Sequence, residues 1–145
     1  MIESNAPSWR DAIKELKWYH TLFDISPLPM CIADQDGATL IRANRAYCDM
    51  IGRDSLDGVS WLDLMWNPES PPIPPEEWDS HGKTVKSDVE QRTDAGEWIY
   101  TSWLVTRFVD GERMIATAIG RVVFGPAKER PDGFWIPRKD YWSND

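Results

Sequence analysis

The side chains that most often carry out chemistry, histidine and cysteine, occur only four times in these 145 residues: His20, Cys31, Cys48 and His81. Neither histidine has a cysteine or carboxylate neighbour at the spacing of a metal site. The motifs of nucleophilic, metal-dependent and dinucleotide-dependent enzymes do not occur. The stretch HGKT at 81–84 is similar to the end of a phosphate-binding loop, but Glu77 stands where that loop requires glycine. The sequence therefore predicts a protein that is not an enzyme and that has no metal site.

Structural roles account for three of these four side chains. His20 falls on the apolar stripe of a predicted helix, and His81 precedes Gly82, at a helix end where the dipole favours histidine. Cys48 has apolar neighbours, which raise the pKa of a thiol and make it inert. Two lone thiols in apolar contexts indicate a reducing compartment rather than a disulfide scaffold. We therefore expect a cytosolic or nuclear protein, and of these we favour a cytoplasmic one.

Length, composition and charge restrict the class of protein further. A chain of 145 residues that is 41% apolar can bury one hydrophobic core. With 24 acidic against 16 basic residues, its net charge of −8 would repel nucleic acid and anionic lipid. No segment has the apolar core of a signal peptide or the roughly 18 apolar residues of a membrane span. We expect one domain with neither nucleic acid nor a membrane as a partner.

The first predicted element is an amphipathic helix over residues 8–24, SWRDAIKELKWYHTLFD. A period of 3.6 residues predicts one apolar stripe, formed by Trp9, Ile13, Leu16, His20 and Phe23. Trp18 and Leu22 lie off this stripe, so a second apolar patch remains after the stripe is buried. Exposed patches of this kind often mark interfaces, and the helix could pair with its copy across a two-fold axis.

Five predicted strands follow, in two groups. Residues 30–34 and 38–43 flank the turn signal QDG, and Asn44 is placed to cap a helix that ends at Gly52. After a proline-rich loop at 67–75, the turns DAG and DG join three longer strands over 83–93, 97–109 and 112–124. The middle one of these is apolar on both faces, which predicts a sheet that is covered on both sides.

The order of elements divides the chain into a helix at 1–25, a compact domain at 26–124 and a tail at 125–145. Proline and glycine break any helix at the start of the tail. Its aromatic residues are too apolar for a solvated linker, so we expect the tail to dock on its own domain or on a partner. The predicted interface residues are Trp9, Trp18, Leu22, Trp135 and Trp142.

Residues 22 to about 123 resemble a PAS domain. LFDISPLPMCIADQDG is similar to the opening strand of that family, RANRAYCDMIGRDSLDGVSWLDL to its Asn-initiated helix with a glycine end, and NPES to its His-Pro-Glu-Asp stretch. VEQRTDAGEWIYTSWLV is similar to its Arg-x-x-x-Gly hairpin with a following tryptophan. Each motif alone is a capping or turn signal, and the resemblance depends on their order and separations. The family's closing Asp-Ile-Thr and output helix are replaced by GRVVFGP, which favours a stand-alone module acting through a partner.

The resemblance implies an α+β fold, a five-stranded antiparallel sheet in the order 2-1-5-4-3 with short helices on one face around a small pocket. The outer face, with Ile115 and Ile119, would then lie under the N-terminal helix. Inward positions would include Ser87, Val89, Ile99, Val105 and Met114. The residues implied as ligand-binding are Cys31, Ala33, Tyr47, Trp61, Leu64, Gln91, Thr101, Trp103, Ala116 and Ala118.

Members of this family bind small molecules, haem or flavin, sense light, or act as dimerising interaction modules. His81 is near a position that can supply a haem ligand but abuts Gly82, and no flavin-binding cysteine motif surrounds Cys48, so the sequence argues against both cofactors. Ala116, Ala118 and Gly120 leave space on the last strand that either Trp103 or a ligand fills. We predict a sensory module that binds a small molecule in an internal apolar pocket, or forms a homodimer, or both, and signals to a protein partner. The first alternative is a ligand-free adaptor with a filled core; a haem or flavin sensor and an enzyme on a similar fold are less favoured.

Overall fold

The computed structural model describes residues 9–34, 38–67 and 75–132. Its elements follow one another as a helix, two strands, a group of short helices and three longer strands. They are α1 (Trp9–Ile25), β1 (Met30–Asp34), β2 (Thr39–Ala43), α2 (Arg45–Ile51), two 3-10 helices (Trp61–Leu64 and Pro75–Glu77), β3 (Lys83–Arg92), β4 (Trp98–Asp110) and β5 (Arg113–Ala127). The QDG turn at 35–37 and the aromatic residues of the tail, including Trp135 and Trp142, fall outside the described residues.

The five strands form one antiparallel sheet in the order β2-β1-β5-β4-β3. This confirms the predicted α+β class and strand order. The DAG and DG turns form the hairpins between the last three strands, with Gly96 and Gly111 at positive φ. Hairpin turns of this kind need a left-handed residue, which glycine supplies without steric cost.

Asn44 and Gly52 bound α2 as the sequence predicts. The Asn44 side chain accepts a hydrogen bond from the backbone N–H of Tyr47, and Gly52 ends the helix in the left-handed region at φ 94°. Tyr47, Cys48 and Ile51 on the buried side of α2 pack onto the inner face of the sheet, so the core lies between that face and the short helices. The core residues are Cys31, Leu40, Ala43, Tyr47, Cys48, Ile51, Leu56, Leu64, Met65, Val89 and Trp103.

The prediction that α1 covers the outer face of the sheet is wrong. Ile13 and Leu16, on the stripe expected to be buried, are 44% and 57% exposed, and His20 is exposed as well. The C-terminal end of α1 is attached beside α2 instead, because only four residues separate Ile25 from β1 and the Asn44 side chain binds the backbone at both ends of this link. Most of α1 therefore extends away from this attachment, and its apolar side chains are not covered by other described residues.

Two further expectations need correction. The outer face of β4 is only partly covered, since Phe108 is 47% exposed and Leu104 is half-buried. The last strand runs to Ala127 rather than to residue 124, past the glycine and proline that were expected to end it. Ala127 pairs with Trp98, and Phe124 pairs with Tyr100. The two residues between Phe124 and Ala127 form a bulge, where proline, which has no N–H, is tolerated.

Candidate functional site

A polar group lies within the apolar core, at the centre of the predicted pocket. Gln91 on β3 and Tyr47 on α2 are both completely buried, and Gln91 Nε2 donates a hydrogen bond to the Tyr47 hydroxyl oxygen at 2.7 Å. The Trp61 side chain, on the 3-10 helix that follows α2, packs on the core near that hydroxyl. Burial raises the pKa of Tyr47 far above its usual range, although Trp61 favours a lower pKa, so the phenol stays neutral. We call Tyr47, Trp61, Gln91, Thr101 and Trp103 the core polar cluster.

The same cluster continues on the neighbouring strand. Thr101 is completely buried and its hydroxyl donates to the Val89 carbonyl oxygen at 2.8 Å, while Trp103 Nε1 donates to Thr101 Oγ1 at 2.8 Å. The Trp103 ring also packs against Tyr47, with 5.1 Å between centroids and 40° between planes. Alternation along β4 places Thr101 and Trp103 on one face, and their hydrogen bonds fix both side chains.

Trp103 fills the space beside Gly120, for which the sequence allowed either this side chain or a ligand. It lies against Gly120 of β5 so closely that a Cβ at Gly120 would be 2.7 Å from its ring atoms. The small residue on β5 therefore makes room for a tryptophan from the same molecule. Ala33, Val105 and Ala118 pack against the core and are only partly buried, and Ala116 and Met114 are likewise half-buried. The inner face is thus filled near Gly120 and more open along the line from Ala33 to Ala116.

Nearly all the predicted pocket residues are found on this inner face or over it. Cys31, Tyr47, Leu64 and Trp103 belong to the core, and Ala33, Trp61 and Ala118 pack on it. Ile99, Gln91 and Thr101 are buried too. Ser87 falls in the region of β3 where the pairing with β4 shifts, and its side chain lies outside the described part of the molecule. Whether these residues bind a ligand stays a prediction.

The thiols at the site are neutral. Burial raises the pKa of Cys31 to about 12, and burial also raises the pKa of Cys48. Both are free and buried. His81 is exposed in the turn before β3, where its backbone N–H donates to Asp79 Oδ1 at 2.8 Å. Hydrogen bonds from the backbone N–H groups of Lys83 and His81 hold the pKa of the Asp79 carboxyl below its usual value. Within the described ranges, no three His, Cys, Asp or Glu side chains are grouped to hold a metal ion.

The junction of α1 with the domain is a second candidate site, and the sequence predicted only part of it. Asn44 is completely buried and uses all of its side-chain bonding capacity. Its Oδ1 accepts from Met30 N and Tyr47 N, at 2.9 and 3.0 Å, and its Nδ2 donates to the carbonyls of Phe23 and Leu28, each at 2.9 Å. The sequence predicted the cap on α2, but not the bonds to α1, because no local pattern signals a partner 21 residues away.

Arg42 on β2 completes this junction. Its guanidinium donates to Asp24 Oδ2 at 2.8 Å, contacts His20 Nδ1 and lies over the Phe23 ring at 5.2 Å. The last two turns of α1 are thus held by Arg42 of β2 and by Asn44, the residue that caps α2. Of the predicted interface residues, Trp18 and Leu22 are 62% and 60% exposed. Trp9 lies in α1, with its side chain outside the described residues.

Comparisons with known proteins agree with this architecture. Residues 17–86 match the family model of the PAS domain. The fold is similar to the PAS domain of an HTR-like protein from Haloarcula marismortui, with a TM-score of 0.67 and 18% identity over 79% of this chain and 97% of that one. The PAS domain of a two-component sensor histidine kinase gives a TM-score of 0.66, with 18% identity over 77% and 98% of the two chains. No curated protein matches the sequence.

A third similar structure is a complex with a small molecule. It is the PAS domain of a LuxR-family transcriptional regulator from Burkholderia thailandensis with ethanol, at a TM-score of 0.59 and 15% identity over 72% of this chain and 96% of that one. The family match over residues 17–86 and the similar structures together support a PAS domain in this chain, with the fold of the PAS domains solved from a two-component sensor histidine kinase and a LuxR-family transcriptional regulator. No helix among the described residues is both long and apolar enough to cross a membrane.

Proposed function

We propose that this protein is a non-enzymatic sensory module that binds a small molecule between the inner face of the sheet and α2. The observation that carries the proposal is the core polar cluster, because a core that only had to be filled would gain nothing from a completely buried glutamine. A few polar groups in an otherwise apolar cavity are the usual composition of a small-molecule site. The similar PAS domain that is described with ethanol is consistent with a guest of this size.

A route from this site to α1 supports a signalling role. Tyr47 lies one turn after Asn44, and Asn44 binds the backbone of both Tyr47 and Phe23. A guest that moves Tyr47 would therefore move the cap of α2 and the attachment of α1 with it. Occupancy of the pocket would shift the balance between two positions of α1, and a protein partner would read that shift.

We also propose that α1 pairs with its copy to form a homodimer. Its side chains at Ile13, Leu16, Trp18, Tyr19, Leu22 and Ile25 are all at least 44% exposed. The helix has three basic and three acidic residues, so it is neutral while the whole chain has a charge of −8. Pairing α1 with its copy therefore brings no net like charge together at the interface, although the whole chain is acidic. We assign the protein to the cytoplasm because its two cysteines are free and buried.

The experiment for the ligand is a native mass spectrum of the protein as purified from cells. A mass excess per subunit that disappears on denaturation is expected, and the released compound gives the class of ligand. The experiment for the dimer is sedimentation equilibrium of wild type and Trp18→Glu. The variant should be monomeric at concentrations where wild type is dimeric. Val109→Glu is the matched control, since Val109 is 63% exposed on a different element and its change should leave the dimer intact.

The second candidate is a ligand-free adaptor, which the close contact of Trp103 with Gly120 favours. In that function the core is filled by the protein's own side chains and only the exposed face of α1 is used. A dimer with the sequence mass alone, in which no added small molecule changes the Trp103 indole signal, would support the adaptor over the sensor.

A further inference from the structure

The side-chain oxygen of Gln91 is the single buried side-chain polar atom without a hydrogen-bond partner in the part of the chain that the structure describes. Its amide nitrogen is fixed by the 2.7 Å bond to the Tyr47 hydroxyl. Because the oxygen and nitrogen share one rigid plane, this bond also fixes where the oxygen points. A buried carbonyl that is left unpaired lowers stability, so an unpaired acceptor in a native core indicates a missing partner.

The donors of Thr101 and Trp103 cannot supply that partner without losing a bond of their own. The Thr101 hydroxyl is used by the Val89 carbonyl, and the Trp103 indole N–H is used by Thr101. The Tyr47 hydroxyl is engaged by the nitrogen at the other end of the same amide. The open group of the core polar cluster is therefore an acceptor, and a guest that satisfies it must donate.

The charge of the site restricts the guest as well. Among the described residues, no charged side chain is buried, and the buried polar side chains are all neutral. An anionic group would meet the lone pairs of a carbonyl with no arginine or lysine to compensate for its lost hydration, which is a large penalty in an apolar core. A cation would lack a carboxylate partner for the same reason. Only a neutral donor satisfies the oxygen without burying a charge.

We infer that the pocket selects small neutral molecules with a hydroxyl or amide N–H, whose hydrogen is donated to Gln91 Oε1 while the apolar part lies among the core side chains. This inference rests on the proposed small-molecule function and specifies the class of ligand. It predicts discrimination by hydrogen bonding rather than by size, because a guest of equal volume without a donor would leave the oxygen unpaired.

The test uses three probes of similar size with the full chain: 1-butanol, its isomer diethyl ether, which has no donor, and butyrate, which is anionic. Binding is followed through the indole N–H signal of Trp103 in the NMR spectrum. We expect 1-butanol to bind at least about fivefold more tightly than diethyl ether, as one hydrogen bond to a buried acceptor allows, and butyrate to bind most weakly. In Gln91→Met the preference for the alcohol over the ether should disappear.

The outcomes separate the two levels of the proposal. Equal affinities for 1-butanol and diethyl ether in wild type would overturn the inference about the donor and leave a pocket in place. No change of the Trp103 signal with any probe would overturn both the pocket and the inference. Tighter binding of butyrate than of 1-butanol would also overturn the inference. The comparison in wild type decides these points even if Gln91→Met does not fold.

Discussion

Replacing Gly120 with alanine tests whether Trp103 fills the core as the structure has it. The φ of Gly120 is not in the left-handed region, so the backbone accepts alanine, and the change alone would stabilise the protein by about 0.4–1 kcal/mol through the unfolded state. Against this, the new Cβ would be 2.7 Å from two ring atoms of Trp103 and 2.8 Å from a third, well inside ordinary contact. The ring cannot easily move, because it is 1% exposed, bonded to Thr101 and packed on Tyr47.

Overpacking of a dense core costs about 1–3 kcal/mol, so we expect Gly120→Ala to lower the free energy of unfolding by about 2 kcal/mol. The assay is urea denaturation followed by tryptophan fluorescence and circular dichroism, analysed as a double-mutant cycle with Trp103→Phe. Phenylalanine is smaller and lacks the indole N–H that bonds to Thr101, so its ring can shift away from residue 120 and Gly120→Ala should cost less in that background.

The control for this cycle is Gly58→Ala. Gly58 is at φ 79°, and an added Cβ there meets nothing within 4 Å. Its alanine should cost about 1 kcal/mol from backbone strain, equally with Trp103 or phenylalanine present. If Gly120→Ala costs the same in both backgrounds, the Trp103 ring does not lie against Gly120 and the reasoning about the filled inner face is refuted.

Two further predictions concern Asn44 and Cys31. Asn44→Ala leaves four backbone groups without their side-chain partner, so it should lower the free energy of unfolding by about 3–5 kcal/mol and speed hydrogen exchange in α1. The control Thr21→Ala removes only a bond within exposed α1 and should change the free energy of unfolding by less than about 0.5 kcal/mol. Equal effects of the two changes would contradict the role of Asn44. Cys31, with a pKa of about 12, should not react with a thiol reagent at pH 8 in a Cys48→Ala background until the protein is unfolded. Its contribution to the free energy of unfolding should be complete below the pKa of an unfolded thiol, roughly 8.5, and should be lost as the pH rises towards 12. Labelling of the native protein at the rate of the unfolded chain would show that Cys31 is accessible.

Local signals were sufficient to predict most of the fold. Asn44 and Gly52 each act within one turn of α2, and Gly96 and Gly111 each act within one hairpin, so neighbouring residues alone decide these features. Once the turns are fixed, alternation determines which side chains of β4 face inward, and Thr101 and Trp103 were assigned correctly. The strand order followed from the family resemblance and not from any of these signals.

Features that depend on distant residues could not be predicted in this way. The apolar stripe of α1 shows which side of the helix avoids water, but not whether the sheet or another molecule covers it. The end of β5 was misplaced because proline usually ends a strand, whereas here a bulge opposite Ile99 accommodates it. The choice between a ligand and Trp103 as the filler at Gly120 depended on the register of β4 and β5, which pairs these two residues directly.

Under the proposed function, the hydrogen bonds of Gln91 and Asn44 would connect the core to α1. Gln91 holds the Tyr47 hydroxyl from one side, and Asn44 holds the Tyr47 backbone from the other. A guest that donates to Gln91 would act on the amide that already positions Tyr47, and through Tyr47 on Asn44. Because Asn44 has no spare bonding group, it cannot absorb such a movement by changing partners, and the movement passes to Phe23 at the end of α1. A ligand effect on the α1 dimer should therefore be lost in Asn44→Ala even where the ligand still binds.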